Sequence, residues 1–96
     1  MEENVREELD VLKGMLDNWK SGFLSWASPD GDNEHVFLEF TEEIYTHVYP
    51  YVRRLFETDH LSQAETEDFM RYCFSQVEDL RAQLSKAETD ESKKEV

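Results

Sequence analysis

The whole chain holds a single cysteine, two prolines and three glycines. One cysteine excludes an internal disulfide framework and suits a reducing compartment. The scattered Gly14, Gly22 and Gly31 build no phosphate cradle, since neither Gly-x-x-x-x-Gly-Lys nor Gly-x-Gly-x-x-Gly occurs. Nucleotide binding through either motif is excluded. No apolar run approaches the ~18 residues of a membrane span. Met1-Glu2-Glu3-Asn4 leads into no apolar stretch, so no secretory leader is expected and the chain reads as cytoplasmic.

Positive charge is also scarce. Ten lysines and arginines face 23 aspartates and glutamates, for a net charge of −13. The excess is spread out, at about −3 over residues 1–27, −6 over 28–60 and −4 over 61–96. Such a field repels phosphate backbones and anionic lipid, so neither a nucleic acid nor a membrane is expected as a partner. Solubility is the plain reading of the charge. A basic partner fits it too, and an acidic decoy imitating nucleic acid is a weaker third reading.

The chain has apolar periodicity in abundance. Val5, Leu9, Leu12, Leu16, Trp19, Phe23 and Trp26 alternate gaps of four and three, and so do Thr66, Met70, Cys73, Val77, Leu80, Leu84 and Ala87. Two such seams predict long, mutually packed helices. With 39% hydrophobic residues over 96 positions, the chain can bury one core but no second domain.

The first helix is expected over about 4–26, opened by an Asn4/Glu7 capping box. Ser28-Pro29-Asp30-Gly31-Asp32-Asn33 reads as a loop whose end caps the second helix, about 34–57. Steps of 100° put Val36, Phe37, Phe40, Ile44, Val48, Tyr51 and Leu55 on its core side. Leu38, Tyr45, Tyr49, Val52 and Phe56 widen that side to more than half the circumference. Pro50 predicts a kink near Thr46–Pro50, because it lacks an N–H and its ring crowds the carbonyl of Thr46.

Ser62-Gln63-Ala64-Glu65 forms a capping box that opens the third helix, about 62–87. The charged stretch 88–96 is expected to be a disordered tail. The fold expected is therefore all-α: an antiparallel up-down-up three-helix bundle in residues 1–87, with coiled-coil-like packing and a Pro-kinked central helix. Trp19, Phe23 and Trp26 should cap the core opposite Phe37 and Phe40.

Motifs with chemistry are weak. His35, Glu39, Glu43 and His47 repeat every four residues, a spacing that suits zinc or a di-metal centre. Most of the set points away from the apolar face, so a solvated surface is the simpler reading. Glu57-Thr58-Asp59-His60 matches a di-iron half-motif that occurs once and at a helix end. Asp30-Gly31-Asp32-Asn33-Glu34 starts like a calcium loop but has His35 and Thr41 at the two diagnostic places. Cys73 sits in a seam, where a thiol is inert. No catalytic residue and no cofactor are implied.

The second apolar stripe is the informative feature. Flanking first and third helices could bury all of it internally; if exposed, it exceeds the patches of ordinary monomer surfaces. The expectation is a non-enzymatic protein–protein interaction module that acts through the second helix, by self-association as a homodimer or by binding a basic protein. Leu38, Tyr45, Tyr49 and Phe56 would be its anchors, with Glu39, Glu42 and Glu43 as an acidic rim. The alternative is a metal-binding helical protein that uses His35, Glu39, Glu43 and His47.

Overall fold

The computed structural model describes residues 1–26 and 33–94, with side chains described through Lys86. Helix α1 spans Glu3–Leu24, α2 Glu34–Glu43, α3 Tyr49–Glu57 and α4 Gln63–Lys94. A π-helical segment, Ile44–Val48, joins α2 to α3, so the two form one central helix. The described residues make an all-α three-helix bundle.

Paired contacts give the chain directions. Glu8 meets Tyr51, Trp19 meets His47 and Phe23 meets Phe40, so numbers fall on the central helix as they rise on α1. Between α1 and α4 they rise together, from Lys13 on Tyr72 to Lys20 on Asp79.

Both seams fill the core. Val5, Leu9, Leu12 and Leu16 of α1 are buried, as are Cys73, Val77, Leu80 and Leu84 of α4. Phe69, rather than Met70, is the buried residue near the start of α4, and Leu61 in the preceding turn is also buried. Trp19 and Phe23 pack against this core, but Trp26 lies past the end of α1 and is 64% exposed. It stacks edge-on against Phe23 at 5.5 Å and does not cap the core.

Helix ends show which local signals were obeyed. The Ser62/Glu65 box forms fully: Ser62 N–H donates to Glu65 Oε1 at 2.9 Å, and Glu65 N–H donates to Ser62 Oγ at 3.1 Å. The Asn4 box does not form. Helix α1 starts at Glu3 with Glu2 as its N-cap and no side-chain cap bond, because Asn4 already lies inside the first turn. Helix α4 ends at Lys94, beyond the expected end near Ala87. Of the expected 88–96 tail, the side chains and residues 95–96 lie outside the described residues. So do residues 27–32, which carry most of the expected loop.

At the C-terminus of α3, Asp59 N–H donates to the Phe56 carbonyl and His60 N–H to the Leu55 carbonyl, at 3.1 and 2.8 Å. This is a Schellman arrangement, with Asp59 left-handed at φ 64°. Glu57-Thr58-Asp59-His60 is therefore a helix stop.

The π segment lies where the kink was expected. Pro50 has no N–H to give, and a π turn ends one helix and opens another with Pro50 in its first turn, where no N–H is needed. Tyr49 N–H reaches back five residues to the Ile44 carbonyl. The segment also explains the core. Val36, Phe40, Ile44, Val48 and Val52 are all fully buried, although a strict spacing of four drifts about 160° over that length of α-helix. The extra residue taken up by the π turn brings the seam back.

Candidate functional site

Residues after the π turn are rotated by roughly one position, about 100°, from where a uniform helix puts them. Val52, expected in the second stripe beside the core face, thereby becomes fully buried. Tyr51 makes the opposite move: it is expected on the core side but stands exposed, its hydroxyl donating to the Glu8 carboxylate of α1. That bond, and then partial burial, hold the Tyr51 phenol above its ordinary pKa.

The rest of the stripe is at the surface. Leu38 is 53% exposed, Tyr45 51%, Phe56 40% and Tyr49 38%. The tyrosines are not loose. The Tyr45 ring lies 6.2 Å from Tyr49 and 5.7 Å from Phe74 of α4, so α4 backs the stripe along one edge.

An acidic ridge runs beside it. Glu39, Glu42, Glu43, Thr46 and His47 line a shallow cleft of about 400 Å³, with no lysine or arginine among them. Some acids elsewhere do meet cations: Asp79 meets Lys20, Glu57 meets Arg53, Asp68 meets Arg71 and Glu65 meets the terminal amine.

On the far side of the ridge a second cleft, of about 540 Å³, separates α1 from the central helix. It is lined by Asn4, Glu7, Glu8, Val11, Leu12, His47 and Tyr51. Little in the sequence points to it, because Val11 is an isolated off-seam apolar residue and Tyr51 is misplaced by a uniform wheel. Phe74, which anchors Tyr45, was also missed, since it directly follows the seam residue Cys73.

Of the metal candidates, Glu43 and His47 come together, with Oε2 and Nε2 3.4 Å apart. Glu39 lines the same cleft and His35 does not. Among the described residues no three His, Cys, Asp or Glu side chains converge as a metal set. The calcium-like stretch from Asp30 lies mainly outside the described residues. Cys73 is buried in the core, and that burial pushes its thiol up to about 11. A thiol so placed is no nucleophile at neutral pH.

No described helix is long and apolar enough to cross a membrane. No protein-family model matches the chain, and no curated protein or solved structure matches it significantly.

Proposed function

We propose that this chain is a non-catalytic interaction module that binds a basic protein partner through its central helix. One observation carries the reading: Leu38, Tyr45, Tyr49 and Phe56 are exposed together beside a ridge of Glu39, Glu42 and Glu43 that holds no lysine or arginine. Partly apolar, partly polar tyrosine rings, Tyr45 held against Phe74 and Tyr49 against Tyr45, are suited to interface anchors, because they lose little freedom on binding. The ridge would steer a basic surface and set its orientation.

Charge favours a basic partner over a second copy. Pairing this face with itself brings two acidic ridges together on chains that each carry −13, and like charges juxtaposed at an interface disfavour it. The free, buried Cys73 is consistent with a reducing, cytoplasmic setting.

The test is a photo-crosslinking residue placed at Leu38, with cross-linked species identified by mass spectrometry. Capture of a basic protein that is lost in Tyr49→Ala and in Glu42→Lys/Glu43→Lys supports the reading. Capture that survives both variants, or a product consisting only of two copies of this chain, overturns it.

A further inference from the structure

The cleft between α1 and the central helix carries its own argument, independent of the tyrosine stripe. Lysines of α1 lie on its α4 side. Lys13 Nζ sits 4.9 Å from the Tyr72 ring centroid, and Lys20 Nζ bonds Gln76 and Asp79, so both cations are drawn toward α4. The flank facing the central helix keeps Glu7 and Glu8, and no lysine or arginine lines the cleft. Its floor is apolar, and Val11 is 63% exposed there. The Tyr51–Glu8 hydrogen bond spans α1 and α3.

We propose that this cleft docks a cationic amphipathic helix from a partner protein, with aliphatic side chains over Val11 and Leu12 and a lysine or arginine at Glu7. An acidic rim on an apolar floor selects a ligand with the complementary pattern. The walls are helices whose mid-segment backbone groups are paired internally, so they offer no main-chain ladder to an extended strand. A helix satisfies its own backbone and enters an apolar cleft without leaving polar groups unpaired. A second copy of this chain is disfavoured by its net charge of −13.

The probe is a synthetic amphipathic helix of about 18 residues, lysine on one face and leucine on the other, long enough to be helical. A leucine/glutamate version is the control. Both are titrated into the full chain by fluorescence anisotropy, with backbone amide shifts mapped by NMR. The expected result is saturable binding of the lysine peptide, with shifts centred on Asn4–Leu12, His47 and Tyr51.

Val11→Asp, at an exposed position that should leave the fold intact, is expected to weaken binding at least about tenfold, and Glu7→Lys about fivefold. Tyr49→Asp should change it less than about twofold. Unchanged affinity in Val11→Asp, or equal binding of the glutamate peptide, overturns the proposal. Loss in Tyr49→Asp with none in Val11→Asp would move the peptide to the stripe, which overturns the cleft assignment and leaves the interaction reading standing.

Discussion

Tyr45 on the central helix and Phe74 on α4 hold their rings 5.7 Å apart at a tilt of 46°, while Tyr45 stays half exposed. One side chain thus fastens two helices and faces solvent. Tyr45→Ala is therefore expected to lower unfolding stability by about 1 kcal/mol through the lost ring pair. Leu38→Ala, without such a partner, should stay within about 0.5 kcal/mol. Urea unfolding followed by circular dichroism checks both. Equal effects would mean that the ring pair adds nothing.

Acid sensitivity should trace partly to the bond between α1 and α4. Hydrogen bonds from Lys20 and then Gln83 hold the Asp79 carboxyl below its ordinary range. Folding thus favours the ionised form. The contribution is present above the usual aspartate value of ~4 and is lost as pH falls through the lower folded value. Lys20→Met should shrink the difference between urea midpoints at neutral and at strongly acidic pH. Some acid dependence should persist in that variant, because Glu65 is likewise held low, chiefly by the Ser62 backbone N–H.

At the other end of the pH scale Cys73 acts with the opposite sign. Its buried thiol is pushed up to about 11, so folding favours the protonated form. That contribution is full below the free-thiol value of ~8.5 and is lost as pH rises toward the folded value. In native buffer, alkylation by iodoacetamide should run at least about a hundredfold slower than in urea, since modification waits for opening. Comparable rates would place the thiol at the surface.

Asp59 holds a left-handed backbone at φ 64° in the helix stop after α3. Glycine takes this conformation without the steric penalty of a Cβ. Asp59→Gly is expected to raise stability by up to about 1 kcal/mol, visible as a higher thermal midpoint. A fall would show that the Asp59 side chain contributes more than its backbone strain removes.

What the sequence made legible follows from periodicity and local chemistry. The seams of α1 and α4 obey a uniform 3.6-residue period, and their residues from Val5 to Leu16 and from Cys73 to Leu84 are buried as expected. The Ser62/Glu65 box needed only its own four residues. The Asn4 box failed because helix initiation can slide by one residue, and nothing local forbids Glu2 as the cap. On the central helix Tyr45 and Tyr49, which a uniform wheel places beside the core face, are exposed next to the acidic ridge. Their split from the second cleft was hidden, because it depends on a change of helical period at Ile44–Val48.

That change of period has a direct thermodynamic signature. On a uniform helix Tyr51 would face the core and Val52 would sit on its widened flank. With one extra residue taken up before Tyr49, Val52 becomes fully buried and Tyr51 turns out toward Glu8. Val52→Ala should then cost about 2 kcal/mol, from lost apolar burial and the void left behind. Tyr51→Phe removes only a hydrogen bond at an exposed position and should cost no more than about 0.5 kcal/mol. Urea midpoints at constant m-value give the order directly. The reverse order would mean that the central helix runs at a single period through Pro50, which would dissolve the cleft that Tyr51 helps to line.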